Sequence, residues 1–187
     1  LSSGFVAKIS ASDGEVRWAK SIHDNGGHAS AYRPKFNGDG DIAIGGSRCE
    51  TEWEECSAYL QLLNGETGDV IWDKDLGKRM TRAAGLAVYE NHYYVSGGLT
   101  GELVVDDLVL TPISGMDAVV VVLDGSGTAQ WAIMVESVDA DAESWGEISE
   151  VKVVDGGVYV LCYADGDYRE VRTTRSNETV VFEGLYA

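Results

Sequence analysis

The sequence has few of the features that mark several common classes of protein. Its 187 residues include only 2 prolines and 3 cysteines, and 14 lysines and arginines stand against 31 aspartates and glutamates. The net charge of −17 repels phosphate backbones and anionic lipids, so we expect no binding to nucleic acid or to a membrane surface. No apolar run reaches the ~18 residues of a membrane-spanning helix, so we expect no membrane insertion. The hydrophobic fraction of 44 % is too high for a disordered acidic tail, which leaves an acidic globular chain.

The common catalytic motifs are missing as well. The chain has no Gly-x-Ser-x-Gly elbow, no His-Glu-x-x-His pair and no phosphate loop ending in Gly-Lys-Ser/Thr. Two of its three histidines, His23 and His28, lie in a glycine-rich segment that could bind a metal, but their spacing favours a solvated loop. The sequence therefore favours a protein without catalytic activity over an enzyme.

What the sequence does contain is an internal repeat. Three segments each lead from an apolar run through a polar turn to the pattern Gly-x-x-x-Trp, and the tryptophans lie 54 and 59 residues apart. The three pairs are Gly14 with Trp18, Gly68 with Trp72, and Gly127 with Trp131. Each copy predicts two strands joined by a tight turn, with the glycine where a positive φ is needed. A second hairpin is predicted in each copy, with turns at 37–40, 90–91 and 155–157.

Four strands in each unit of about 55 residues are typical of a β-propeller blade. We therefore predict an all-β fold, a β-propeller fragment of about three four-stranded antiparallel blades, with repeat units at approximately 4–56, 57–115 and 116–187. Segment 178–185 is similar to segment 102–109, which precedes the third copy. The chain is thus expected to stop where a fourth copy would begin, with further blades supplied by a parent chain or by another copy.

The middle copy carries a family resemblance. Residues 62–72 combine apolar positions, a polar turn, the dipeptide Thr67-Gly68 and the closing Trp72. They resemble the tryptophan-docking motif of pyrroloquinoline quinone (PQQ)-type, quinoprotein alcohol dehydrogenase-like β-propellers. Segments 5–9 and 115–119 are also similar to bacterial β-propeller repeats. The resemblance implies that Trp18, Trp72 and Trp131 pack between blades, each ring against a turn of the neighbouring blade, rather than stack on a ligand.

The same resemblance bears on activity. It implies that a PQQ-dependent dehydrogenase would need a disulfide between adjacent cysteines, calcium ligands and an aspartate base. The chain has no Cys-Cys pair, so PQQ is not expected in this segment. We therefore expect a non-catalytic binding or scaffold module for a protein, small-molecule or glycan ligand. The alternatives are a fragment of a PQQ-dependent dehydrogenase and a calcium-dependent surface or adhesion protein.

Calcium is the one metal that the sequence suggests. Segment 139–150 has acidic residues at its first, third, fifth, ninth and twelfth positions, a spacing similar to that of a calcium-binding loop. The weak candidate ligands are Asp139, Asp141, Glu143 and Glu150. Ser144 occupies the sixth position, where a glycine should allow the sharp turn, and a plain acidic turn is the alternative.

Two short features concern the compartment. Cys49 and Cys56 bracket the acidic segment 50–55, and they are either a disulfide that pins this loop or two thiols in a reducing compartment. Asn177 begins an Asn-Glu-Thr match to the glycosylation pattern. A disulfide and a glycosylation site would both favour a secreted, cell-surface or periplasmic protein.

Overall fold

The fold consists of β-strands. A computed structural model describes residues 4–22, 28–49, 56–113, 115–137, 145–164, 168–175 and 179–183, and within these ranges there is no helix. The sixteen strands are β1 Phe5–Ile9, β2 Val16–Ser21, β3 His28–Phe36, β4 Ile42–Cys49, β5 Cys56–Leu63, β6 Val70–Gly77, β7 Gly85–Tyr89, β8 His92–Leu99, β9 Leu103–Val105, β10 Leu108–Leu110, β11 Asp117–Leu123, β12 Ala129–Ser137, β13 Gly146–Val154, β14 Gly157–Ala164, β15 Tyr168–Thr173 and β16 Thr179–Glu183. They pair antiparallel, so the prediction of an all-β chain is confirmed.

The first sheet contains four consecutive strands in the order β3-β4-β5-β6. Its second and third strands pair with Ile42 opposite Leu63 and Gly45 opposite Leu60. Both of these middle strands are mostly buried, whereas the fourth strand alternates with exposed positions. Such a pattern is expected where the middle of a sheet is covered on both faces and its last strand lies at the periphery.

The second sheet repeats this order with additions. Strands β7, β8, β11 and β12 are neighbours in the sheet, and Tyr93 lies opposite Leu123 as Ile42 lies opposite Leu63. The hairpin β9-β10 is inserted between the second and third strands. Strands β15 and β16 extend the sheet beyond β12, giving the six-stranded order β16-β15-β12-β11-β8-β7. The two sheets therefore share one four-strand plan.

Two further hairpins each contain half of that plan. The hairpin β1-β2 corresponds to the third and fourth strands of the four-strand order, because it has their glycine turn and tryptophan. The hairpin β13-β14 corresponds to the first and second strands, because it has their turn. Each is a two-stranded sheet within the described part of the chain. Strand β13 packs on β7 and β8, so this hairpin follows the second sheet as the second follows the first. Each sequence unit predicted above begins with the third strand of a sheet. A sheet such as β3–β6 therefore combines the last two strands of one unit with the first two strands of the next.

The core lies between successive sheets. Its largest cluster joins Leu60 and Leu62 of the first sheet to Tyr93, Val95 and Val121 of the second, all of them buried. A second cluster joins the second sheet to the hairpin β13-β14, and a third lies between β1-β2 and the first sheet. Each sheet is therefore stabilised by burial against its sequence neighbours, which is the packing of a repeat array.

The turns between third and fourth strands share a glycine with a positive φ, although the third turn is one residue shorter than the other two. Gly14, Gly68 and Gly127 have φ values of 75°, 73° and 82°. In the second of these turns the Asn64 side chain accepts hydrogen bonds from the amides of Glu66 and Thr67, at 3.0 and 2.9 Å. The side chain that precedes the turn thus fixes the loop, and the glycine supplies the left-handed residue that other side chains adopt at a cost.

Two of the repeat tryptophans are seated on these turns. The Trp18 indole donates a hydrogen bond to the Gly65 carbonyl at 3.4 Å, and a Cβ added to Gly68 would lie 2.7 Å from the Trp18 ring. The Trp72 indole donates to the Gly125 carbonyl at 3.0 Å, and a Cβ on Gly127 would lie 3.1 Å from its ring. Each ring therefore packs against the turn of the next sheet, where an added Cβ would crowd it, most severely at Gly68.

Replacing the turn glycine tests this junction. We expect Gly68→Ala to lower the free energy of unfolding by about 2–4 kcal/mol, because it adds overpacking against Trp18 to the cost of a positive φ. Gly40→Ala is the matched control, since Gly40 has a φ of +83° but nothing within 4 Å of an added Cβ, and it should cost only ~1–2 kcal/mol. Urea unfolding measures both, and equal losses would contradict the seating of the ring.

Candidate functional site

Trp131 differs from the other two repeat tryptophans. Among the described residues, no turn glycine contacts the Trp131 ring as Gly68 contacts Trp18. Tyr94 meets the ring edge-on with centroids 6.2 Å apart, and the Arg175 guanidinium lies 5.7 Å from the ring centroid. A cavity of about 530 Å³ opens beside it, lined by Trp131, Ile133, Val171, Thr173 and Arg175. This cavity, the Trp131 pocket, is mainly apolar with one cation at its margin.

Strand β14 is the second part of the site. It pairs with β13 along one edge, and no other strand of the described ranges pairs with its opposite edge. Tyr159, Leu161 and Tyr163 are 63 %, 55 % and 60 % exposed on one face, and Val160 is 38 % exposed on the other. An apolar edge strand with unpaired backbone groups is a ready template for another strand. We call the Trp131 pocket together with this free edge the open end.

The hairpin β1-β2 also exposes apolar side chains. Phe5, Ile9 and Val16 are 75 %, 60 % and 63 % exposed. Within the described residues β1 pairs only with β2. Each half sheet thus exposes apolar side chains to solvent, as do the edge strand β6, with Val70 and Ile71, and the hairpin β9-β10, with Val104 and Val109.

An ion pair joins the outer strand of the first sheet to the inserted hairpin β9-β10. The Lys74 ammonium lies 2.5 Å from the Asp106 carboxylate, which also accepts a hydrogen bond from the Ala129 amide at 2.8 Å. Asp106 lies in the turn of the inserted hairpin β9-β10, with a φ of 53°. The hydrogen bond from Lys74 makes the larger contribution, and the hydrogen bond from the Ala129 amide the next, to lowering the pKa of the Asp106 carboxyl below its ordinary value. The inserted hairpin therefore links β6 to β12.

A second group of charges lies along the first strands of the sheets. Arg82 binds the carboxylate of Glu147 through two hydrogen bonds of 3.0 Å, and the glutamate is nearly buried. Glu150 lies 3.4 Å from Arg33 and 4.0 Å from Lys152. These pairs connect β13 to the preceding sheets and neutralise one another.

The calcium prediction meets this group at one residue. Glu150 is the described candidate, and its partners are the cations just named. Asp139, Asp141 and Glu143 lie outside the described residues. Among the residues that the structure describes, no three histidine, cysteine, aspartate or glutamate side chains are grouped so that they could hold a metal ion.

The cysteines take different positions. Cys49 and Cys56 form a disulfide, and they face each other in the register of β4 and β5. The cross-link therefore closes the hairpin at its tip. Cys162 lies on β14 as a thiol. The candidate glycosylation residue Asn177 is outside the described part of the chain.

Comparison with protein-family models and with curated proteins finds no match to this chain. The described ranges also contain no helix long and apolar enough to cross a membrane. The resemblance to PQQ-type repeats accordingly rests on the sequence motifs alone.

The sequence did not point to several residues of this site. Arg175 follows the last assigned repeat tryptophan by 44 positions, and nothing in the local pattern links it to Trp131. Nothing in the sequence around Asp106 or Glu147 indicates an ion pair. Their partners, Lys74 and Arg82, are distant in sequence and are brought close by the fold. One feature of the sequence indicates the free edge of β14. Two tyrosines, Tyr159 and Tyr163, lie on the same face of a strand that is otherwise apolar.

The Lys74–Asp106 pair gives a pH-dependent prediction. Because the folded-state pKa of Asp106 is lowered, the pair stabilises the fold above the unfolded pKa, and that contribution is lost as the pH falls through the folded pKa. Lys74→Met should raise the pKa of Asp106 and lower stability at neutral pH, with a difference that shrinks in acid. Lys20→Met is the control, since Lys20 pairs with Asp69 instead. A carbonyl-detected NMR titration measures both carboxyls, and an Asp106 pKa that responds equally to the two changes would refute the pairing.

Proposed function

We propose that this chain is a β-propeller segment that serves as a non-catalytic binding or scaffold module outside the cytosol. Three observations support the architecture: two sheets with the same four-strand order, glycine turns with the same φ, and tryptophans seated on the turn of the next sheet. The resemblance of residues 62–72 to PQQ-type repeats points the same way.

The open end is the observation on which the function rests. A free strand edge offers a row of main-chain hydrogen bonds, and an adjoining apolar pocket can take a side chain or turn of the bound partner. The Trp131 pocket has the size of a small-ligand or side-chain site and lies on strands rather than on a long loop. Rigid strands carry a binding surface at low cost in conformational entropy. The module therefore offers a preformed surface for another polypeptide.

The chemistry of the pocket supports binding rather than catalysis. Its described lining consists of three apolar side chains, one threonine and one arginine, without a carboxylate, histidine or cysteine. Such a lining supplies a cation and apolar area but no acid–base pair. The arginine favours an occupant with a negative group near an apolar surface.

The disulfide supports the compartment. Cys49 and Cys56 are joined across two neighbouring strands of the first sheet. Disulfides of this structural kind persist in oxidising environments such as the cell exterior and the periplasm. An acidic exterior with a net charge of −17 would in addition favour cationic partners or saline surroundings.

An anionic apolar dye tests the binding site. At low protein concentration, 1-anilinonaphthalene-8-sulfonate should bind saturably, because its rings fit the Trp131 pocket and its sulfonate meets Arg175. Arg175→Glu should weaken binding about tenfold, whereas Arg79→Glu, an exposed arginine away from the pocket, should change it little. Fluorescence titration measures both. Equal effects of the two charge reversals would argue against the pocket as the binding site.

Added PQQ and calcium test the non-catalytic part of the proposal. We expect neither quinone absorbance on the protein after gel filtration nor a change in melting temperature. Retention of the quinone, reversed by a chelator, would overturn the proposal in favour of a dehydrogenase segment. A chelator-sensitive melting temperature without quinone uptake would instead overturn it in favour of a calcium-dependent surface protein.

A further inference from the structure

We propose that the open end of one chain binds the β1-β2 hairpin of a second copy of this chain, and that two copies close into a ring in solution. The inference rests on the proposed function and names the partner of the same site. It commits to a second copy, because the chain itself contains the hairpin that the open end lacks.

The two half sheets are complementary. In the first sheet the second strand, β4, pairs with the third strand, β5, and in the second sheet β8 pairs with β11. In the hairpin β13-β14, the second strand is β14, and no described strand pairs with its outer edge. In the hairpin β1-β2, the third strand is β1, and no described strand pairs with its outer edge either. Pairing β14 with β1 of another copy would complete a four-stranded sheet in the order β13-β14-β1-β2.

The register of this pairing follows from the two complete sheets. The third strands end at Leu63 and Leu123, directly before their turns, and their partners are Ile42 and Tyr93. The corresponding residue of β1 is Ile9, whose turn begins at Ser10.

The matching position on β14 is set by the turn before it. Tyr93 is the second residue after the two-residue turn 90–91, and Val158 is the second residue after the turn 155–156. Val158 of one copy should therefore lie opposite Ile9 of the other, which puts Leu161 opposite Val6. That pair corresponds to Gly45 with Leu60 and to Ser96 with Val120.

The same hairpin would also supply the turn that Trp131 lacks. Added Cβ atoms at Gly68 and Gly127 would meet the rings of Trp18 and Trp72, but at Gly14, with the same positive φ, nothing lies within 4 Å. In the described chain Gly14 is thus a docking turn without a ring, and Trp131 is a docking ring without a turn. Placing β1 against β14 brings the two together, because in both complete junctions one hairpin makes both contacts.

Exposure and charge agree with this occupant. The apolar residues Phe5, Ile9 and Val16 of the hairpin and Tyr159 and Leu161 of the open end are all more than half exposed. The turn of the hairpin carries Asp13 and Glu15, both paired with Arg17, so it keeps one net negative charge, and the pocket carries the cation Arg175. Association would bury the apolar groups and bring the acidic turn towards the arginine.

The number of copies follows from the count of sheets. The 187 residues contribute two sheets built on the four-strand order, of which the second also carries β15 and β16, and two half sheets, which make three sheets when the halves are joined. Closed propellers commonly have about 4 to 8 blades. One copy falls below this range and three copies exceed it, whereas two copies give six. A head-to-tail contact that closes on itself is the cyclic case of a heterologous interface.

The first measurement is mass in solution. Sedimentation equilibrium of the whole chain should give about twice the chain mass of 20.1 kDa, with dissociation on dilution. Because two copies with a charge of −17 repel each other, added salt should strengthen association.

Two substitutions with matched controls identify the interface. Leu161→Lys should raise the dimer dissociation constant at least tenfold, whereas Val154→Lys, at a similarly exposed valine in the turn region of β13, should not. Gly14→Ala should weaken the dimer to a similar degree, because its Cβ would meet Trp131 of the other copy. Gly40→Ala has the same backbone cost without that contact and should leave the dimer intact.

Cross-linking tests the register. In a Cys162→Ser background, a chain with Val6→Cys mixed with a chain carrying Leu161→Cys should give a disulfide-linked pair under mild oxidation with oxidised glutathione. Ala7→Cys in place of Val6→Cys should not, because neighbouring residues of a strand point to opposite faces.

The outcomes separate the inference from the proposed function. A monomer at every attainable concentration that still binds the dye at Arg175 overturns the second-copy inference and leaves the module standing. A dimer that is insensitive to Leu161→Lys and Gly14→Ala also overturns it, because another surface then forms the contact. A monomer without dye binding overturns both.

Discussion

The contact between a tryptophan ring and the glycine turn of the next sheet determines how the sheets of this molecule are arranged. The ring lies where a Cβ would otherwise be, so the turn needs both a positive φ and a residue without a side chain. The indole N–H is satisfied by a carbonyl of the same turn. A fully buried tryptophan removes ~150–250 Å² from water, which is worth ~4–6 kcal/mol before entropy is counted, and the partly buried Trp18 and Trp72 contribute less than this. One side chain thereby fixes both the distance and the rotation between adjacent sheets.

A molecule built by this contact has two unlike ends. Each sheet offers a ring to the sheet that follows and a turn to the sheet that precedes, so a linear array leaves one ring and one turn without partners. Trp131 and Gly14 occupy these positions in the described chain. The exposed apolar residues of β14 and β1 lie at the same two ends. Both ends of the array therefore expose apolar side chains and lack the tryptophan contact that the internal junctions make.

The sequence predicted the local parts of this design and missed the distant ones. Hairpins, turn glycines and the Gly-x-x-x-Trp pattern of each copy are local in sequence, and the all-β class follows from them. The addition of β15 to β12 and the pairing of Arg82 with Glu147, 65 positions apart, depend on how whole sheets meet, and no local pattern records that. Glu150 is an example: the sequence shows its acidic spacing, whereas only the fold shows Arg33 3.4 Å from it.

The scarce cations are placed where successive sheets meet. Lys8 binds Glu66 and Lys20 binds Asp69, which joins the hairpin β1-β2 to the first sheet, and Lys74 of the first sheet binds Asp106 of the inserted hairpin β9-β10. Because acids outnumber bases by 17, the remaining carboxylates give the surface one sign of charge. Screening then acts in opposite directions: salt weakens the partly exposed pairs that join repeats within a chain, and it weakens the repulsion between chains. Since the tryptophan contacts hardly depend on salt, they hold the array together while screening makes its ends more available for contact.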